Sequence, residues 1–405
     1  MTIKGPLTGI RVLDLSQAHA GPFGTQMLGD FGAEIIKIET PGRGDIVRFI
    51  PPHLEGEGYY TLALNRNKKS ITLDLTTLLG KEAFYDLVKI SDVVFDNFRA
   101  GSMKKLGADY DTLEKINPKI ICCSITGYGT TGPYKDRQSM DDVAQGIAGS
   151  MSLCGESNGP PMRPGIPIAD ISAGIFGAMG IITALYERVQ TQKGRKIDLN
   201  LLGSTMFLMS NHFQNFFLSG KAPGPQGTKH PILPIGAYQT KDSYIMLGAA
   251  WPNIATLIDR EWLIDDPRFN TLEGRLGNRK ELDEIIEDAL KEKDSEYWLE
   301  VIQGEGVSSS PINTLDKVVE NPQVMHNNTV INMNHPVCGP IKAIANPIQI
   351  ADCIEGEPEP PPTLGQHTKE VLKEILGYSE QKIDNLLKET EANLEELQKR
   401  TKITL

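Results

Sequence analysis

The sequence predicts an α/β protein: a parallel, doubly wound sheet with its helices, joined to a smaller α+β unit. Three observations carry this. Short apolar runs alternate with helical stretches of about ten residues through the first half of the chain. A Gly- and Pro-rich stretch, GKAPGPQGTKHPILP, interrupts that rhythm at 220–234. Beyond it the pattern changes to hairpin-like alternation followed by amphipathic helix.

Ile10–Leu15 (IRVLDL) is an apolar run ending in polar residues, the profile of a strand buried on both faces. Gly21 and Pro22 introduce a helical stretch that stops at Gly32, and Glu34–Glu39 is a second strand. Ser70–Leu75 is a third strand, Leu79–Ile90 a helix, and Asp92–Phe95 and Ile120–Ile125 two further strands. Ala169–Val189 is apolar with Gly and Ala inside it, as in a helix buried on most sides. Its most apolar part, Ile168–Tyr186, contains Asp170 and small residues, so it reads as a core helix rather than a membrane span. Lys196–Leu201 is the next strand. After the linker at 220–234, Gly236–Leu247 alternates like a hairpin and Leu282–Gln303 is amphipathic. A second Pro-rich stretch, EGEPEPPP at 355–362, precedes a helical C-terminus from Thr368 to about Arg400.

The chain of 405 residues is 40% hydrophobic and 23% charged, an ordinary globular composition with no place for collagen or a disulfide scaffold. Lys and Arg number 41 against 52 Asp and Glu, a net charge of −11. That balance argues against nucleic acid or an anionic membrane surface as main partner. Cys122, Cys123, Cys154, Cys338 and Cys353 form no CxxC pair, which suits a reducing compartment. The N-terminal residues lack a basic segment followed by an apolar core, so a cytoplasmic protein is expected.

Several chemistries lack their residues. The histidines are scattered without HExxH or HxxxH spacing, so no metal site is predicted. No GxSxG or GxxxxGKS/T occurs, and the SQAHAGPFG after the first strand lacks GxGxxG. Asp170 stands out, set between PGIP at 164–167 and the small-residue run 171–180. It reads either as a helix N-cap or as a carboxylate nucleophile in a pocket where glycines admit a ligand to the backbone.

At this point a resemblance becomes visible. GPLTGIRVLDLSQAHAGPFGTQMLGDFGAEIIKIETPGRGD at 5–45 resembles the start of the family III CoA-transferases, typified by formyl-CoA transferase and carnitine CoA-transferase. NKKSITLDL at 67–75, DNFRAGSMKKLG at 96–107 and TGYGTTGPYKDR at 126–137 are similar to further family motifs. PGIPIADISAGIFGAMGIITALYER at 164–188 resembles the segment holding the family's nucleophilic aspartate. DDPRFNTLEGR at 265–275 and PPTLGQHTKEVL at 361–372 extend the resemblance over nearly the whole chain.

The resemblance implies an interlocked dimer with a large Rossmann-like domain. The large domain takes residues 1–219 and, after a return linker, the C-terminal part of 326–405; the linker 220–234 leads to a small domain at 235–325. It implies transfer of CoA between carboxylic acids, with Asp170 forming first a mixed anhydride and then an aspartyl-CoA thioester. Coenzyme A enters as substrate, and no cofactor is held permanently. By motif position, Gln17, Ala18, Leu73, Asn97, Phe98, Ser102 and Lys105 line the CoA site, and Arg137 is a further phosphate partner. Lys105 stands where an arginine is common, keeping the charge without the bidentate fork. His19 and Tyr60 fall at positions near the reacting acyl group, and Met140 lies at the substrate pocket.

Two departures narrow the implied activity. The glycine-rich loop of formyl-CoA:oxalate transferases is absent from APGPQGTKHPILPIGAY, which argues against oxalate as acceptor. The histidine used by the racemase branch for proton exchange falls at Met140, which disfavours 2-methylacyl-CoA racemase chemistry. A roomy pocket around Met140, Met151 and 206–209 points to a larger branched or aromatic acid, or a dicarboxylate, with succinyl-CoA as donor. Benzylsuccinate-type transferases are one such subgroup, in which two related subunits can associate, so both homodimer and hetero-oligomer stay open. The reading from a different class is a non-catalytic CoA-binding subunit, and the retained Asp170 argues against it.

Overall fold

The computed structural model describes residues 3–230, 235–248 and 251–403. The chain divides into two compact units: 1–150, 164–214 and 327–405 form one, 151–163 and 215–326 the other. The segment 151–163, read from sequence as part of the large domain, clusters with the smaller unit. Of the linker expected at 220–234, residues 220–230 carry no helix or strand and 231–234 lie outside the described residues.

The larger unit is built on six parallel strands: β1 (Arg11–Asp14), β2 (Glu34–Glu39), β3 (Lys68–Thr72), β4 (Val93–Asp96), β5 (Ile121–Thr126) and β6 (Arg195–Asn200). Their order is 3-2-1-4-5-6, so the winding reverses between β1 and β4. Helices between and after them include α1 (Ala20–Asp30), α2 (Leu78–Lys89), α3 (Ser102–Leu106), α4 (Tyr110–Ile116), α5 (Asp141–Ala148), α6 (Ile168–Thr191) and α7 (Leu201–Leu208), and a short helix at Tyr59–Leu64 carries Tyr60.

Strands covered on both faces carry apolar side chains in both directions, which is why IRVLDL and IICCSI are continuous runs. Leu13, Ile36, Val94 and Cys122 face a core shared with Phe84 and Leu87 of α2. Val12, Ile35, Phe95 and Cys123 face the opposite core, with Leu28 of α1 and Ala173 and Ile181 of α6. The edge strand β6 is half-exposed and carries Arg195, Lys196 and Asp198, polar groups that blunt an open edge.

α1 and α6 touch through glycine. A Cβ on Gly24 would stand 2.7 Å from the Gly174 carbonyl oxygen, and one on Gly174 2.5 Å from the Ala20 carbonyl oxygen. By length and composition α6 could cross a membrane; half of its most apolar window is buried, less than the burial on most sides expected from the sequence. Its other side is exposed, and Ile175, Met179, Ile182, Tyr186 and Val189 recur there at steps of three and four.

The smaller unit holds a three-stranded antiparallel sheet with order β9-β8-β7: β7 (Ile235–Gln239), β8 (Tyr244–Gly248) and β9 (Ser308–Pro311). The amphipathic segment 282–303 is two helices rather than one: α8 (Arg279–Leu290) and α9 (Ser295–Gly304). The polar KEKD at 291–294 interrupts it, and Asp242 caps the restart by accepting from the Ser295 N–H at 2.8 Å. Tyr238, Ile286, Leu290 and Trp298 fill the core of this unit.

The chain then returns to the larger unit through the hairpin β10 (Val330–His335) and β11 (Gly339–Ile344). The helical C-terminus is broken at Gly377, at φ +66°, and resumes as α10 (Glu380–Ile403). Ile383 and Leu386 of α10 seal the α2 side of the sheet.

Candidate active site

Ligands of doubly wound sheets bind outside the carboxyl ends of the strands, where the winding reverses. Here those ends are the turn after β1, Ser16–His19, and the residues after β4, Asn97 and Phe98. The two are tied together. The Gln17 N–H donates to Asn97 Oδ1 at 2.8 Å, and Asn97 Nδ2 donates back to the Gln17 carbonyl at 2.7 Å. Ala18 follows with φ +62°, an uncommon conformation for a residue with a Cβ, and its N–H donates to Asp45 Oδ1 at 2.9 Å.

His19 comes next and precedes α1 as its N-cap. Its ring lies edge-on to Tyr60, with centroids 5.6 Å apart, and 6.1 Å from the Phe23 ring. Tyr60 in turn leans on Tyr59 at 4.5 Å. The His19 Nδ1 is buried without a hydrogen-bond partner among the described residues. Burial holds this imidazole below its ordinary pKa, with the Asp141 carboxylate pulling the other way. The two residues expected near the acyl group, His19 and Tyr60, are therefore brought into contact.

Asp170 sits in the first turn of α6, four residues ahead of the Gly174 that meets α1. It is not the N-cap. That position belongs to Pro167, which offers no side-chain cap. The cap comes from another helix: Asp141 Oδ1, at the start of α5, accepts from the N–H groups of Ala169 at 2.9 Å and Asp170 at 3.0 Å. Gln145 Nε2 donates to the other Asp141 oxygen. The Asp170 side chain is thus released from capping. Burial first, then the negative charges of Asp141 and Asp142, push its carboxyl up from 3.8 to about 7.

The remaining residues predicted by motif scatter around this crevice. Leu73 is only 2% exposed and its side chain belongs to the α2-side core. The Phe98 N–H donates to Asp96 Oδ1 at 3.1 Å, and its ring packs beside the same core. Ser102 opens α3 behind Gly101, at φ +80°, and Lys105 is exposed on that helix. Arg137 is exposed and stacks on the Tyr134 ring at 3.6 Å. Met140 is 66% exposed and leads directly into Asp141. A cleft of about 210 Å³ opens beside Phe98, Arg99, Met103 and Lys104, floored by Asp96 and Ser124. Burial pushes Asp96 up to about 6, and Ser124 Oγ donates to it at 2.5 Å. Its lining mixes apolar side chains with the cations Arg99, Lys104 and Lys196 and the acids Asp96, Asp109, Asp111 and Asp198.

Three contributors were not foreseen: Asp141, Asp45 and Lys37. The doublet Asp141–Asp142 ahead of VAQG was the available signal for the first, because a carboxylate opening one helix can cap a second. Among the described residues, no group of three or more His, Cys, Asp or Glu side chains is placed to hold a metal ion.

The site combines a partly buried carboxylate whose pKa is raised and an imidazole whose pKa is lowered. That arrangement suits attack by a carboxylate on an acyl carbon. Residues 7–368 match the profile of the family described as CoA-transferase family III. The chain is 39% identical over 388 residues to human succinyl-CoA:glutarate CoA-transferase, covering 94% of this chain and 89% of that one. It is 34% identical over 384 residues to the succinate–glutarate CoA-transferase of Agrobacterium fabrum, covering 92% and 96%. Among solved structures, a CAIB/BAIF family protein from Brucella suis superposes with a TM-score of 0.84 at 34% identity, covering 92% of this chain and 99% of that chain.

Proposed function

The chain belongs to CoA-transferase family III, and from that premise we propose that it moves coenzyme A from succinyl-CoA to a short dicarboxylic acid, with glutarate the first acceptor to test. The observation that carries this reading is the Asp170 carboxylate, freed from helix capping by Asp141 and partly desolvated. An aromatic acceptor draws no support from the relatives, whose named acceptor is aliphatic.

The steps balance without an added base. An Asp170 oxygen attacks the succinyl thioester carbon, the C–S bond breaks, and a mixed anhydride and CoA thiolate result. The thiolate attacks Cγ of Asp170, succinate leaves, and an aspartyl-CoA thioester remains. The acceptor carboxylate attacks Cγ and expels the thiolate. The thiolate then attacks the acceptor acyl carbon and returns Asp170 as carboxylate. Each tetrahedral stage carries an oxyanion, which is best stabilised by fixed N–H donors in a dry site.

Gln17, Ala18, Asn97, Phe98, Ser102, Lys105 and Arg137 take the CoA, and His19 and Tyr60 flank the acyl group. The exposed apolar stripe on α6 supports association with a second copy of this chain, since a face of that size is normally covered. Hydroxylamine trapping tests the reading: with succinyl-CoA present, the expected product is a hydroxamate on Asp170, located by peptide mass spectrometry. No hydroxamate with any acyl-CoA, together with deuterium entering the α-carbon of a 2-methylacyl-CoA, would replace transfer with racemisation.

A further inference from the structure

Beneath the active-site turn lies a buried ionic network that the chemistry above does not use. Both polar backbone atoms of Ser16, both of Gln17 and the N–H of Ala18 are bonded to side chains. Ser16 N–H donates to Asp14 Oδ1 at 2.9 Å, and the Ser16 carbonyl accepts from Lys37 Nζ at 2.7 Å. Asn97 takes both atoms of Gln17, and Asp45 takes the Ala18 N–H. Lys37 and Asp45 form an ion pair at 3.0 Å, with both side chains only 1% exposed. Asp45 is held in turn, its N–H donating to Glu39 Oε1 at 3.0 Å while Glu39 grips Arg48 at 2.8 Å.

Burying an ion pair is a poor way to gain stability, because desolvation offsets the attraction. What this pair does gain is geometry. The Ala18 N–H donates to the Asp45 carboxylate, and Ala18 sits at φ +62°, where a Cβ is disfavoured. Left to itself, an alanine returns to negative φ, which would move His19 off the Tyr60 and Phe23 rings.

Resting on the CoA-transfer reading above, we propose that Asp45, locked by Lys37, is the positioning residue of the active-site turn. Its carboxylate keeps Ala18 left-handed and so aims His19 at the acyl-CoA. Asp45 touches no substrate and acts through Ala18.

The test compares Asp45→Ala, Asp45→Asn and the double variant Asp45→Ala with Ala18→Gly, reading kcat, KM, melting temperature and hydrogen–deuterium exchange. Asp45→Ala is expected to lower kcat by about a hundredfold, the usual cost of a slight misplacement at a reacting centre. Exchange should accelerate in the peptide covering Ser16–Ala20 and stay slow in β1. Asp45→Asn keeps an oxygen for the Ala18 N–H but removes the carboxylate paired with Lys37, leaving that cation only the more distant charges of Asp14 and Glu39. It should melt early yet recover about tenfold of the lost kcat, separating stability from turnover. Glycine reaches positive φ without help, so Ala18→Gly should restore part of the kcat lost in Asp45→Ala. Unchanged kcat in Asp45→Ala, or kcat tracking melting temperature in every variant without rescue, would overturn the proposal. If the unsubstituted protein transfers CoA to no acid, the functional reading fails, and the exchange data still decide whether Asp45 holds the turn.

Discussion

The Asp141 carboxylate accepts a hydrogen bond from the backbone N–H of Asp170 at 3.0 Å, so one acid supports the helix that carries another and raises its pKa. The two effects separate by substitution. In Asp141→Asn the amide oxygen still accepts from Ala169 and Asp170, but the charge is gone. The Asp170 pKa should then fall, and the acid side of the rate profile should move to lower pH. Asp141→Ala loses the cap as well and should cost about 1 kcal/mol of stability in denaturant titration. A pH profile that stays put in Asp141→Asn would mean that burial and Asp142 set Asp170 without help from Asp141.

The unsubstituted enzyme should show the same logic in its pH dependence. Attack requires the ionised carboxylate, and Asp170 holds its proton up to about pH 7. kcat/KM for succinyl-CoA is therefore expected to rise as pH passes through about 7 and then level off. A profile already flat from pH 5 upward would contradict a nucleophile in this environment.

Stability should run opposite to activity. The carboxyl titrates at 3.8 ordinarily and near 7 in the folded chain, so the fold binds this proton more tightly than the unfolded chain does. Below about pH 4 the group is protonated in both states and costs nothing. As pH rises toward 7 the unfolded chain ionises first and the fold loses stability, completely so above 7. Asp170→Asn, which mimics the neutral form, should abolish turnover yet be more stable by about 2 kcal/mol at pH 8, after discounting for partial exposure. The difference should vanish near pH 4. Equal stability of the two proteins at pH 8 would show that the carboxylate is better solvated than its surroundings imply.

The sheet was legible because strands buried on both faces must be apolar in both directions, and IRVLDL, EIIKIE and IICCSI leave few other readings. Where apolarity stopped being the determinant, legibility stopped too. β9 is SSSP and has no pattern of its own, since it joins the sheet by backbone pairing with β8. The helix expected across 282–303 breaks because Asp242, some fifty residues earlier, caps a new start at Ser295.

The site divides along the same line. Asp170 was legible from its small-residue surroundings and the motif resemblance, and His19 and Tyr60 from motif position. Asp141, 29 residues from Asp170 in the chain, could be linked to it only by the fold. Asp45 lies in GRGD, where no local pattern marks it for burial, yet it is 1% exposed and bonded to Ala18. Leu73 went the other way: its motif position pointed to CoA, and its side chain fills the core.

One surface remains to be covered. Ile175, Met179, Ile182, Tyr186 and Val189 are each at least 40% exposed, and their spacing places them along one side of α6. The opposite side holds Ala173 and Ile181 in the core, so α6 is apolar nearly all round. A helix of that kind is stable only when most of its circumference is out of water. The proposal above takes the partner to be a second copy of this chain, which would place this stripe at the contact. Met179→Glu and Tyr186→Glu put charge where apolar area would be desolvated, and should shift the protein toward monomer in sedimentation velocity. Because Met179 and Tyr186 lie on the solvent side of the helix, the larger unit should keep its far-UV circular dichroism in the monomer. An unchanged sedimentation coefficient in both variants would place the contact between copies on another face.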